Sequence, residues 1–183
     1  MRNMIAAGAV ALAMAAAPAF AAPHARKAAR GHAKAMSDSA WVTNIAKDGM
    51  AEIELGKLAA SKASSDDVKK FGQRMADDHS KANDELKSIA QDKNITLPSD
   101  LDPKATALRD RLSKLSGEAF DRAYMRDMVA DHQKAVSAFR MESKSGKDAD
   151  VKAWAAKTLP TIEDHLKMAR DTNRVSGTSG KKY

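Results

Sequence analysis

The chain has 183 residues, no cysteine and a formal net charge of +7. Without cysteine there is no disulfide framework, no thiolate ligand and no cysteine-linked lipid anchor, so stability must come from a core and any metal must be held by His, carboxylate or Met. The charge does not signal nucleic-acid binding: eight of the 31 Lys and Arg lie outside residues 37–173, where 23 remain against 24 acids, a net charge of −1, and no nucleic-acid motif accompanies them.

The N-terminus reads as a secretory signal over residues 1–21. Arg2 precedes an apolar run from Met4 to Ala17, Pro18 breaks it, and Ala19-Phe20-Ala21 has the small-x-small form of a cleavage site. The length of the run alone also suits a retained membrane anchor. Its Ala-rich composition and its cleavage site favour export, which predicts a periplasmic or secreted protein with no transmembrane anchor after cleavage. Residues 22–36 carry Arg26, Lys27, Arg30 and Lys34 with no acid, together with His24 and His32, and read as a basic disordered segment. Residues 174–183 read as a second disordered tail. Basic tails can touch anionic surfaces weakly, although a solvated tail explains the same composition.

Residues 37–173 have helical period throughout and predict an all-α domain. A first long helix spans about Ser37–Ala63, with Val42, Ile45, Ile53 and Ala60 in its stripe and Gly49 and Gly56 permitting close approach. Ser64-Ser65-Asp66-Asp67 is a tight turn with acids in the next first turn. The second helix, on Val68, Phe71, Met75, Ala82, Leu86 and Ile89, reaches about Lys93. Asp102-Pro103, an N-cap followed by Pro, opens a short helix to Leu115. Ser116-Gly117 begins a third long helix on Phe120, Tyr124, Met128, His132, Ala135 and Phe139. Ser145-Gly146 ends it, and Asp148 caps a fourth, on Val151, Trp154, Thr158, Ile162, Leu166 and Ala169. Pro160 falls inside the fourth helix and predicts a kink. Two short-turn hairpins joined by a longer linker predict an antiparallel four-helix bundle whose crossover carries a short extra helix.

Three histidines in this domain each follow an aspartate: Asp78-His79, Asp131-His132 and Asp164-His165. The first two share the frame Met-x-x-Asp-His-x-Lys-Ala, from Met75 and Met128. Pivoting the helices about their turns brings Glu52 level with His79 to within about 3 Å, but leaves His132 and His165 about 7–8 Å out of level. Mid-bundle is where this architecture builds metal sites from facing side chains. The candidate ligand set is His79, His132, His165 and Glu52, with Asp78 and Asp131 as ligands or as carboxylates that orient an imidazole on another helix. The ion would be a divalent transition metal (Zn, Cu or Fe). The competing interpretation is a buried polar network in which His and Asp satisfy each other and fix helix register. Tyr124 reads first as a core tyrosine, Met75 and Met128 as core filling before thioether ligands, and Trp41 and Trp154 as packing. No phosphate loop, nucleophile elbow or H-E-x-x-H motif occurs.

Several segments taken in order resemble the bacterial family called domain of unknown function 4142, of the ferritin-like superfamily. They are Gly49-Met-Ala-Glu52-Ile-Glu-Leu-Gly-Lys-Leu58, Met75-Ala-Asp-Asp78-His79, Phe120-Asp121-Arg-Ala-Tyr124-Met, Asp131-His132-Gln-Lys-Ala135 and Leu159-Pro160-Thr-Ile-Glu-Asp-His165. The resemblance spans about Ser37 to Thr172 and implies an exported four-helix bundle with no established activity. Di-iron members of the wider superfamily use Glu-x-x-His on two helices. This chain has no Glu-x-x-His, and Glu163 stands only two residues before His165. The Met-x-x-Asp-His frame also resembles the Met-x-x-His-His frame of an exported helical family linked to copper, with Asp in place of the first His.

The sequence therefore points to a non-enzymatic binding or envelope-stress module, whose sharper version holds a metal at a mid-bundle His/carboxylate cluster. The enzymatic alternative is a metal-dependent oxidase or peroxidase using His79, His132, His165, Glu52 and Tyr124. The third alternative is a structural bundle that uses its basic tails at a surface. Oligomeric state has no signature in the sequence.

Overall fold

The computed structural model describes residues 36–179, with side chains through residue 175. The proposed signal peptide (1–21), most of the basic segment with His24 and His32, and residues 180–183 lie outside the described residues. Within them the chain forms five helices and no strand: α1 (Asp38–Lys62), α2 (Asp66–Asp92), α3 (Pro103–Ser113), α4 (Gly117–Ser145) and α5 (Ala149–Ser179). Among these residues no helix is long and apolar enough to cross a membrane.

Of the caps read from the sequence, those at Asp102 and Asp148 are made, whereas Ser65, at the N-cap of α2, makes no side-chain cap bond. Ser37 Oγ accepts from the Ala40 amide at 3.2 Å, and Asp102 accepts from the Ala105 amide at 2.8 Å ahead of Pro103. Asp148 accepts from the Asp150 and Val151 amides, both at 3.1 Å. Asn94 (φ 55°) ends α2 and Gly117 (φ 58°) opens α4 in the left-handed region that these two residue types tolerate best. The last helix differs from expectation. It continues through Ser179, six residues past the domain end expected at 173. Pro160 lies inside it without ending it. Pro160 and Ala156, whose carbonyl loses its helical partner, are both exposed, so water can serve that carbonyl.

α1 packs along α2 and α4 along α5, whereas α1 and α4 meet only sparsely. Small residues set the first hairpin. A Cβ on Gly56 would lie 2.6 Å from the Gly72 carbonyl, and one on Gly72 would lie 2.7 Å from Gly56 O, so the two backbones touch there. Gly49 meets the Asn83 side chain instead.

Two apolar clusters fill the interior. One gathers Leu55, Phe71, Met75, Leu112, Phe120, Tyr124 and Met128, and the other Trp41, Leu86, Val136, Phe139, Trp154 and Ile162. On α1, α2 and α4 the polar residues Glu52, His79 and His132 each fall in the sequence gap between the two clusters. His165 sits where α5 passes from Ile162 and Leu166 of one cluster to Ala169 of the other. The waist of the fold is therefore polar and its two ends are apolar.

Candidate metal centre

The three imidazoles meet at this waist. Their ring centroids are 5.3 Å (His79–His165), 5.5 Å (His132–His165) and 5.8 Å (His79–His132) apart. One nitrogen from each lies within 4.8 Å of the other two. The misalignment expected between His132 and His165 is not observed. The turn is centred nearer residue 147 than 146, which alone cuts the offset to about 4–5 Å, and ring placement absorbs the rest.

Two of the rings have their tautomers set by a hydrogen bond. His132 Nδ1 donates to the Met128 carbonyl at 3.0 Å, which leaves Nε2 as an unprotonated lone pair. His165 Nε2 donates to Asp78 Oδ2 at 3.0 Å, leaving Nδ1. Asp78 is held in turn by Arg74 Nε at 3.2 Å. Both freed nitrogens, and His79 Nε2, are sealed from solvent with no hydrogen-bond partner among the described residues. His132 and His165 are 2% and 1% exposed.

Burial keeps these rings neutral. It pushes His79 down to about 3, helped by His165 and His132, and His132 down to about 4, helped by His165. His165 is lowered by burial against the raising effect of its Asp78 hydrogen bond. Burial also works to raise Asp78, but its bonds to His165 and Arg74 prevail and hold it low. Neutral imidazoles with free lone pairs are the form that binds metal. Tetrahedral coordination at 2.0–2.1 Å places ligand nitrogens about 3.4 Å apart, so inward movements on the order of 1 Å close the three rings on an ion.

The other candidates are placed differently. Glu52 is buried, with Oε1 4.0 Å from His132 Nδ1 and Oε2 unpartnered. Burial, then Asp131 and Asp48, push it up to about 8. Asp78 orients His165 through the nitrogen opposite the free one and does not join the cluster. Asp131 was expected to be a ligand or to orient an imidazole. Instead it bonds Lys134 on its own helix at 2.8 Å, because i,i+3 spacing brings the two together on the helix surface. Asp164 is exposed. Met75 and Met128 are core residues of the apolar end. Tyr124 is buried there too, its hydroxyl unpartnered and its pKa raised by burial and by Glu52.

Beside the imidazoles a cleft of about 310 Å³ opens where α1 and α4 diverge, with α3 contributing to its wall. His79, His132 and Glu52 line it, but His165 does not. Its remaining walls include Ile45, Leu55, Leu108, Phe139 and Ile162, with Asp48, Asp131, Lys104 and Lys134 among its charged members. Sequence reasoning missed Asp48. It lies four residues before Glu52, a spacing that puts both on one face of α1. Burial, then Asp131 and Asp102, which only the fold brings near, raise its pKa.

Residues 22–172 match the family described as a domain of unknown function (DUF4142). The chain belongs to that family. Among solved structures it is similar to the crystal structure of a DUF305 fragment from Deinococcus radiodurans. The TM-score is 0.63 at 15% identity, covering 76% of this chain and 95% of that one, a likeness of fold alone. No curated protein matches. The family carries no activity to transfer, so any function has to be argued from the site.

Proposed function

We propose that this DUF4142 chain is an exported, periplasmic protein with a ferritin-like four-helix bundle that binds a divalent transition metal through His79, His132 and His165, as a non-enzymatic binding module. One observation carries the reading: three imidazoles offer one nitrogen each within 4.8 Å of one another, and each ring has a buried nitrogen with no partner among the described residues. A register-fixing network would pair those atoms. Here the pairings that exist, His132 to Met128 and His165 to Asp78, leave the other nitrogen of each ring free to bind. The Asp78–His165 pair is the carboxylate–histidine arrangement that orients metal ligands. Neutral nitrogen donors without thiolates suit Zn²⁺, Cu²⁺ or Fe²⁺.

The test uses chelator-treated protein without a tag, residues 22–183, and its His132→Ala variant. At free metal 100 times Kd, calorimetry should show wild type gaining about 2.7 kcal/mol and the variant gaining none. A wild type indifferent to all three ions rejects the metal reading. Export is tested separately: the N-terminus of protein recovered from the periplasm should read Ala22-Pro23-His24, and intact Met1 in the membrane fraction rejects export.

A further inference from the structure

We infer that the metal centre is an open one, whose remaining coordination position faces the cleft and takes the head group of a small monocarboxylate with an aliphatic body. The inference rests on the three-histidine reading above and adds a ligand to it.

Three protein nitrogens leave a tetrahedral ion one position short, the arrangement of exchangeable rather than closed sites. The side on which that position lies follows from the walls. His79 and His132 line the cleft, whereas His165 is 1% exposed and backed by Asp78 and Arg74. The cleft therefore meets the imidazole cluster from the side of α1 and α4. Glu52 lines the same floor, 8% exposed, with Oε1 4.0 Å from His132 Nδ1, so a polar group on an incoming molecule meets a carboxyl group next to the imidazoles.

The shape of the space then selects the ligand. Its volume, about 310 Å³, is at the small end of the range for organic ligands. Away from the imidazoles Ile45, Leu55, Leu108, Ala138, Phe139 and Ile162 give the wall an apolar stretch, beside the charged Asp48, Asp131, Lys104 and Lys134. An aliphatic body buries against the apolar stretch, where a sugar's hydroxyls would be left unpaired. A molecule that fits both regions has a Lewis-basic head and an apolar body. An anionic carboxylate complements the cation, and its second oxygen can reach Glu52.

The experiment uses mature protein loaded with Co²⁺, whose visible spectrum reports coordination directly. Acetate, butyrate, hexanoate and octanoate are titrated in turn. The expected result is a spectral change with every acid and an affinity that rises about fourfold per methylene buried until the cleft is full. Leu108→Trp and Ala138→Trp each place an indole in the cleft. Whichever variant folds and binds Co²⁺ should bind hexanoate at least tenfold more weakly, with acetate unchanged. A Co²⁺ spectrum that ignores all four acids overturns the open centre while the metal reading stands. Equal affinity for acetate and octanoate overturns the aliphatic body. Failure to bind Co²⁺ overturns this inference, and the calorimetry with Zn²⁺, Cu²⁺ and Fe²⁺ then decides the reading beneath it.

Discussion

The ends of this fold and its waist are built on opposite rules. At one end Trp41, Phe139 and Trp154 pack with ring centroids 5.1–6.0 Å apart, and at the other Phe120 stacks on Tyr124 at 5.8 Å. In the waist three imidazoles and a carboxyl group fill the volume that apolar side chains take elsewhere. Of the seven buried side-chain polar atoms without a partner among the described residues, four belong to His79, His132, His165 and Glu52, and a fifth is the Tyr124 hydroxyl. Phe71 lies against both Tyr124 (6.1 Å) and His132 (6.5 Å), so that hydroxyl borders the same layer. Unsatisfied polar groups cost stability wherever they are buried. Their concentration in one layer means the cost is localised where a ligand can offset it. The ends hold the fold, and the waist carries most of its unsatisfied polar groups.

Substitutions of comparable size in the two regions give the largest expected contrast. Phe120→Ala, in the fully buried end, should cost about 3–5 kcal/mol and cost the same with or without metal. His132→Leu should change the apo protein by less than about 1.5 kcal/mol, since it exchanges an unpaired buried nitrogen for apolar volume. Chemical denaturation of both variants after chelation measures this. If His132→Leu costs as much as Phe120→Ala, the waist is itself a structural network and the contrast collapses.

The turns sharpen the same contrast, because the ends are also fastened by polar groups, but satisfied ones. Asp121 of α4, 3% exposed, accepts from Ser64 N (3.0 Å), Ser64 Oγ (2.6 Å) and Ser65 N (2.9 Å) in the α1–α2 turn. Asp38 of α1 accepts from the Lys147 and Asp148 amides in the α4–α5 turn. Each hairpin thus closes the turn of the other. Asp121→Ala strands buried donors and should cost about 2–3 kcal/mol. Asp38→Ala, nearer the surface, should cost about 1 kcal/mol, as a lost helix cap does. Urea midpoints at constant slope give both values. Equal costs would show that burial does not set the strength of these fastenings.

How much of this was legible in the sequence follows the same division. The helices are local or periodic properties, and the Asp102-Pro103 cap and the stripe from Phe120 to Phe139 announce them directly. On α1 the expected stripe is rotated, since Ile53 and Ala60 belong to neither apolar cluster and Leu55 and Ala59 do. His132 could be placed inward because it lies on that stripe. His165 could not be brought level with it, since counting residues from a turn ignores helix tilt and ring placement. Asp78 reads equally well as a ligand, an orienting group or a solvated residue, and only the fold shows that it meets His165 across the helices. Asp121 was visible as part of a family-like segment, yet nothing in its spacing predicts a bond to Ser64. Contacts between helices depend on rotation and register, which a repeat of 3.6 residues constrains only loosely.

The smallest expected effect, and the one that resolves the waist group by group, is the pH dependence of the apo protein. The histidines are depressed on folding, His79 to about 3 and His132 to about 4 from an ordinary 6.5, with His165 lowered as well. Below pH 6.5 the unfolded chain takes up protons that the native rings refuse, so stability falls as pH falls. Glu52 is shifted the other way, from 4.5 up to about 8. Above pH 4.5 the unfolded chain has lost a proton that the native state keeps, so this contribution is lost as pH rises through 8. Each group acts at about 1 kcal/mol per pH unit inside its window. Between pH 6.5 and 8 Glu52 acts alone among these waist groups and stability should decline. Below 6.5 the imidazoles together outweigh Glu52 and stability should decline again, with Asp48 and Glu142, also raised by burial, blunting the lower end of that limb. The apo protein should therefore be most stable near pH 6.5. Glu52→Gln should flatten the alkaline limb alone, and His79→Leu should shallow the acid limb alone. Metal should steepen the acid limb, because protons then compete with the ion for the same nitrogens. A wild-type profile level from pH 6.5 to 8 would mean that Glu52 is already ionised in the native state, and the waist would then carry a fixed negative charge beside its imidazoles.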